Sequence, residues 1–447
     1  MAVIHVKSME GSCWENSPVN MTSTDVGLEL TGVKKQRILG FGHCFNELSW
    51  DVLKNLPEPI RNGFLDELYG ETGCRFNSGR VPIGANDYSL EWYSCADVCD
   101  DFNLEYFSIE RDKAYTIPFI KEACKRQKDF FVFASPWSPP IWMKTKPAYN
   151  YGRFIMEAPY LNAYAQYFVK FIKAYKDQGI TVNQIHPQNE PMADQKFPSC
   201  LWSGDDMLIF IRDYLGPALK ASVPDTELWL GTINGPFNDY QDMPMLSSPF
   251  EEFFDQWTNT ILSDPQAKDY ITGVGLQWGG KHQLSQIAAA YPELRIMQTE
   301  SECGAGTNTW RQMEYIWGLM WQYFKYGAEK YMYWNSILPK DGESTWGWKQ
   351  NSLATVSDGD IQLNPEFYLM KHFSHFVEPG ASYMEVNGVW SANTIAFENP
   401  DGSLVLIVSS NMNREREFCF ADQRGRFSTV IEPHSLHTFV LHNKSDR

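Results

Sequence analysis

Between residues 37 and 377 the sequence passes eight times from a short apolar run to a longer helical pattern. The runs are RILGFGHCF, CRFNSGRVPIG, DFFVFASPW, TVNQIHPQN, TELWLGTIN, YITGVGLQW, RIMQTESE and KYMYWNSIL. Helical spacing is clearest from Leu161 onward. There Tyr164, Phe168, Phe171, Ile172 and Tyr175 recur on one face, with Lys170 and Lys173 between them. FEEFFDQWTNTIL, QLSQIAAAY and WRQMEYIWGLMWQYFKYG fill later gaps in the same way. SWDVLKNLPEPIRNGFLDELYG holds Pro57 and Pro59, so it predicts two helical pieces. Eight strand–helix units imply a parallel sheet with right-handed crossovers. Its economical closed form is a (β/α)8 barrel of about 250 residues plus insertions. The rival is a doubly wound open sheet, whose glycine-rich dinucleotide fingerprint is missing after the first strand.

Past residue 378 the texture changes. ASYMEVNG, NTIAFEN, SLVLIVSSNM, REFCFADQ, RFSTVIEP and LHTFVLH are short strand signals separated by turns such as NPDG. They predict an antiparallel β-sandwich. The first 35 residues are short for a domain and are expected to complete that sandwich. The fold class is therefore α/β: a TIM barrel over residues 36–377, with an appended β-sandwich formed by 378–447 and by N-terminal strands within 1–35.

The net charge of -17 argues against a nucleic-acid backbone or an anionic membrane surface as the main partner. A neutral substrate fits better. Nine cysteines form no paired framework, and Cys95 and Cys99 lack the second pair that a zinc site needs. No metal is expected, and the thiols read as free groups in a reducing compartment. The N-terminus, MAVIHVKSME, lacks a secretory pattern, and no stretch approaches the ~20 apolar residues of a membrane span. The expected compartment is the cytoplasm, without membrane insertion.

Active sites of α/β barrels lie at the C-terminal ends of the strands. Here the second unit ends in Arg80 and, past a turn, Asp87. The third ends in Trp137, and the fourth in Asn189, Glu190 and Pro191. The sixth ends in Gln277 and Trp278, the seventh in Glu300, and the eighth in Trp334 and Asn335. One glutamate at a strand end is ordinarily a solvated or ion-paired residue. Two on opposite sides of one ring, among tryptophans and amides, fit glycoside hydrolysis. That chemistry needs two carboxyl groups flanking an acetal, one to protonate the leaving oxygen and one to attack carbon or activate water. Tryptophan offers a flat face to a sugar, and Asn and Asp fix its hydroxyls. No cofactor is required. Glu302 competes with Glu300, because residues two apart on a strand point the same way. His186 and Glu190 stand ~13 Å apart on an extended strand, too far to share an ion. His43 and Cys44 point to opposite faces and make no nucleophilic pair.

The segments GFGHCFNELSWDVL, RVPIGANDYS, YSCADVCDDFNLEYFSI, ASPWSPPIWMKT, PQNEPMA, QTESECG and YWNSIL follow in order, and then DGSLVLIVSSNMNRE. Together they resemble glycoside hydrolase family 30, the glucosylceramidase-like group of clan A barrels. The resemblance implies Glu190 as acid/base and Glu300, rather than Glu302, as nucleophile. It implies that Asp87 and Trp137 bind the sugar, that Asn189 contacts its 2-hydroxyl, that Trp334 lines the pocket and that Arg80 supports the nucleophile. Two places depart from the family. GFGHCFNEL puts His43, Asn46 and Glu47 where they are expected to alter the pocket floor. LQWGG offers Gln277 and Gly279 in place of a histidine and a tyrosine. The long segment DGESTWGWKQNS, with Trp346 and Trp348, is expected to wall off the pocket. The expected activity is that of a retaining β-glycosidase, exo-acting on small β-glucosides, β-xylosides or β-fucosides. The alternatives are an endo-acting β-1,6-glucanase or other β-glycanase, and a carbohydrate-binding barrel without catalysis.

Overall fold

The computed structural model describes residues 3–20, 27–235, 254 and 256–442. Eight parallel strands close into a barrel. They are β1 Gly40–Cys44, β2 Ser78–Pro82, β3 Phe131–Ser135, β4 Gln184–Ile185, β5 Glu227–Ile233, β6 Ile271–Gln277, β7 Arg295–Glu300 and β8 Ala328–Asn335. β8 pairs with β1 and completes the ring. β4 is only two residues long, shorter than the TVNQIHPQN run predicts, because Pro187 has no N–H for the ladder. The chain beyond it still follows the ring. His186 N–H donates to Ala134 O at 2.9 Å, and Glu190 N–H donates to Thr232 O at 3.0 Å.

The helices follow the expected periodicity. Ala158–Asp177 buries Tyr164, Phe168, Phe171, Ile172 and Tyr175 toward the barrel. Each such side chain contributes roughly 1.5–3 kcal/mol on burial. The proline-containing stretch forms two helices, Glu47–Lys54 and Glu58–Tyr69. Of the helix expected over residues 250–262, 250–253 and 255 lie outside the described residues, and Thr258–Leu262 is helical.

The N-terminal strand Val3–Met9 pairs antiparallel with Ser435–Leu441 in a seven-stranded sheet. Strand Glu29–Ile38 joins the other edge of that sheet and runs across residue 36 into the barrel. Arg416–Asp422 and Gly425–Ile431 form a hairpin over one face. Strand Leu404–Ser410 shows why both faces are apolar. Leu404, Leu406 and Val408 pack with Phe418 and Phe427 of the hairpin, whereas Val405 and Ile407 belong to the core shared with the barrel.

Histidines occupy the seam between this sheet and helix Pro365–Ser374. His5 Nε2 lies 2.9 Å from His437 Nδ1. His372 lies 2.9 Å from Ser8 Oγ and 2.8 Å from Thr438 Oγ1. Burial lowers His5 to about 4 and His372 to about 3, so both are neutral.

Candidate active site

Arg80, at the centre of β2, has no solvent exposure and ties four strand ends together. Its Nη1 donates to Glu300 Oε2 at 2.5 Å. Its Nη2 donates to Asn189 Oδ1 at 2.6 Å, Ser135 Oγ at 2.9 Å and Thr232 Oγ1 at 3.2 Å. The guanidinium lies 4.2 Å from the Trp137 ring, a cation–π contact that fixes its plane. Among the described residues no other side chain bonds the Glu300 carboxylate. Gly279 supplies no side chain there, and among the described residues Arg80 is the side chain that holds that group.

Glu190 has different surroundings. Its backbone takes a left-handed turn, φ 47°, directly before Pro191. That conformation is costly for a residue with a Cβ, and here the Glu190 N–H bond to β5 holds it. Glu190 Oε1 accepts from the neutral Asn234 amide at 2.9 Å, and Asn234 Oδ1 accepts the Gly279 N–H at 2.8 Å. Burial and the Asp87 charge push the Glu190 carboxyl up to about 7. Burial also raises Glu300; Arg80 opposes this, and the Glu190 and Asp87 charges add to it. Asp87 is pushed up to about 6 by burial, and its Oδ1 is buried without a partner.

The remaining expected residues divide into two groups. Trp137 stacks on Trp334 with centroids 5.6 Å apart. Trp334 Nε1 donates to Gln350 Oε1 at 2.7 Å, and Asn335 Nδ2 donates to the same oxygen at 3.3 Å. Trp137 and Trp334, with Tyr88, Phe197, Trp346 and Trp348, form an aromatic cluster at the mouth. Gln277 points inward, but its amide nitrogen is already engaged by Asn189 and Thr232. Trp278 does not join the mouth. Being next to an inward-facing residue it turns outward, and it packs against the core between barrel and helices.

Two other expectations change, and that for His186 does not. β7 ends at Glu300, so Glu302 lies in the following loop, where its Oε1 accepts the Cys303 and Gly304 N–H groups. His43 faces the helix layer and lies 2.6 Å from Tyr69 OH, while Asn46 caps helix Glu47–Lys54 and Glu47 binds Arg111 at 2.7 and 2.9 Å. His43 and Glu47 of the HCFNEL segment therefore anchor surrounding structure, whereas Cys44 and Leu48 pack into the cluster at the mouth and Asn46 reaches it by way of Asn335 at 3.0 Å. His186 lies inside the barrel between Phe133 and Trp229. A Cβ on Gly275 would stand 2.4 Å from its ring, and one on Gly231 2.8 Å.

Ser135, Thr232, Asn234 and Gln350 are site residues that the sequence reading misses. Thr232 and Asn234 close the fifth run as polar residues close the others, but no charge marks them.

The loop after β8 forms a roof. Trp346 Nε1 donates to Asp87 O, Tyr88 OH donates to Gly342 O at 3.0 Å, and Trp348 packs against Phe197 with tilted rings 5.3 Å apart. Phe197 follows β4, four strands from β8 in the ring. The roof thus crosses the mouth above β1–β3. The loop 236–253 after β5 lies outside the described residues.

A parallel barrel with a buried and a half-buried glutamate at its mouth is the arrangement expected of a glycoside hydrolase, and similarity agrees. Residues 38–377 match the glycosyl hydrolase family 30 TIM-barrel domain and residues 380–439 match the family 30 beta sandwich domain, so the chain belongs to that family of glycoside hydrolases. A lysosomal acid glucosylceramidase from Mus musculus is 28% identical over 94% of this chain and 84% of its own length. An endo-1,6-beta-D-glucanase from Neurospora crassa is 26% identical over 91% of this chain and 86% of its own. The crystal structure of SrfJ from Salmonella typhimurium shares the fold with a TM-score of 0.86 at 23% identity, covering 99% of this chain and 100% of that one.

Proposed function

We propose that the chain is a retaining β-glycosidase that removes one sugar from the non-reducing end of small β-glycosides. The observation that carries this reading is the contrast between the two carboxyls. Burial pushes both carboxyls upward, but Glu300 is bonded to a guanidinium that cannot lose its charge, whereas Glu190 is bonded to a neutral amide. One proton held between them therefore resides on Glu190. Ionised Glu300 attacks the anomeric carbon while Glu190 donates its proton to the leaving oxygen, and the acetal C–O bond breaks. Glu190, now ionised, takes a proton from water, whose oxygen displaces Glu300 and frees the sugar with its original configuration.

Exo action is supported by enclosure. Asp87, Trp137, Asn189, Gln277, Glu300 and Trp334 are each at most 6% exposed, as suits a blind pocket for one sugar unit. The test is a panel of aryl β-gluco-, xylo-, fuco- and galactosides, with NMR of the first-formed anomer. Release of the β-anomer from one of them supports the proposal. Internal cleavage of a β-1,6-glucan without turnover of aryl glycosides would instead favour the activity named for the Neurospora relative. An α-anomer as first product would remove Glu300 as nucleophile.

A further inference from the structure

The amide of Asn189 has a forced orientation. Arg80 has only donors, and its Nη2 lies 2.6 Å from one Asn189 amide atom, which must therefore be the oxygen. Gln277 lies 2.6 Å from that same oxygen, so it presents its nitrogen there. The other Gln277 N–H goes to Thr232 Oγ1 at 3.0 Å, and the Thr232 hydroxyl donates to Asn189 Oδ1 at 3.2 Å. Three donors from β2, β5 and β6 thus converge on one oxygen. The Asn189 Nδ2 group is left out of this network.

The three donors are not equivalent during the proposed reaction. Arg80 divides its bonds between Asn189 and Glu300, and the Glu300 charge vanishes once a glycosyl ester forms. The hold of Arg80 on Asn189 therefore changes between the two half-reactions. Gln277 is neutral and bonds no reacting group, so its hold is constant. It is also buried, sits in register beside Glu300, and has its main-chain oxygen pinned by Tyr323 OH.

Resting on the glycosidase reading above, we propose that Gln277 is a positioning residue that keeps Asn189 Nδ2 aimed as a donor at the sugar hydroxyl next to the anomeric carbon through both steps. It acts through Asn189 rather than as a sugar ligand. Its own amide nitrogen has no proton left to give to substrate, and its Oε1, buried without a partner, can only accept. The hydrogen bond to that hydroxyl strengthens in the transition state, so the loss falls on kcat more than on KM.

The experiment compares wild type with Gln277→Leu, Gln277→Met and Gln277→His on an accepted aryl β-glycoside and on its 2-deoxy analogue. The Leu and Met variants are expected to lose about 10- to 100-fold in kcat on the hydroxylated substrate, with KM within about threefold. On the 2-deoxy analogue they stay within about threefold of wild type, and Gln277→His, which keeps a ring N–H donor, regains most of the lost kcat. Equal losses on both substrates in every folded variant would mean that Gln277 only supports the barrel, and unchanged kcat would mean that it does nothing for Asn189. Two apolar variants of different shape guard against one that fails to fold. A wild type that cleaves no glycoside defeats the glycosidase reading itself; a wild type that cleaves, with variants lacking the substrate-dependent loss, defeats this inference alone.

Discussion

Arg80 and Arg295 sit at opposite ends of the barrel, and their surroundings are reversed. Arg295, where β7 begins, donates to both oxygens of Glu329 at 2.9 and 2.6 Å and to Glu227 at 2.8 Å. The second Glu227 oxygen takes Trp229 Nε1 and Gln184 Nε2. Every carboxylate oxygen in that network has a donor, and the arginine side chain is 35% exposed. Arg80 is wholly buried, binds one carboxylate, and shares its remaining donors with neutral oxygens. Around it Asp87 and Glu190 are pushed upward by burial, and Asp87 Oδ1 has no partner. One rim is saturated and contributes only rigidity. The other leaves buried acceptors uncommitted, which costs stability and is what a substrate can use.

The largest expected effect breaks the mouth outright. Glu300→Ala should lose about 10⁴-fold or more in kcat, and azide should restore turnover with inversion at the anomeric carbon. Activity near that of wild type would pass the nucleophile's role to Glu302.

Removing the mobile proton comes next. Glu190→Gln should cost about 10²- to 10⁴-fold on substrates with poor leaving groups. In wild type the acid form is needed, so kcat/KM should fall as pH rises through about 7. That basic limb should vanish in the variant, and its persistence would assign it to another group.

Arg80→Lys tests the fork itself. An ammonium cannot span Glu300, Asn189 and Ser135 together, so a loss of about 10²-fold is expected. With a weaker counter-charge Glu300 binds its proton more tightly, and the acidic limb of the profile should move to higher pH. Kinetics across the pH range read both effects.

The histidine seam offers a buried polar region remote from either rim. His5 and His372 are neutral when folded, at about 4 and 3, but an unfolded histidine binds a proton below about 6.5. Their contribution is complete above pH 6.5 and is lost progressively toward pH 4, on the order of 3 kcal/mol for His5. Urea unfolding at pH 7 and pH 4.5 should show this, and His5→Gln should flatten the difference.

Arg295→Leu sharpens the comparison from the quiet side. Its partly exposed pairs predict a change of about 1 kcal/mol in stability, with kcat within about twofold of wild type. A large kinetic effect would show that the lower rim is coupled to the mouth.

Much of the mouth is legible in the sequence, because strand ends in a parallel barrel are marked where an apolar run stops. Asn189, Glu190, Glu300 and Trp334 all stand at such stops, whereas Arg80, read as the end of the second run, lies at the centre of β2. What escapes is the neutral scaffolding. Ser135, Thr232 and Asn234 are ordinary turn residues by composition, and only their neighbours across other strands reveal them. The placement of Trp278 and Glu302 also escapes. Each depends on which residue a strand ends at, and a shift of one position reverses the face.

The eightfold periodicity and the alternating runs beyond residue 378 determine a barrel and a sandwich, since burial of one face is a local property of the chain. The register of the first strand against the last is decided in the sandwich sheet, and the meeting of Arg80 with Glu300, 220 residues apart, by closure of the barrel; neither can be read from local sequence. The partners of the two carboxyls are decided by the same closure. Of two glutamates identical in sequence chemistry, one meets a guanidinium and the other a neutral amide, and the proposed division into nucleophile and proton donor rests on that difference.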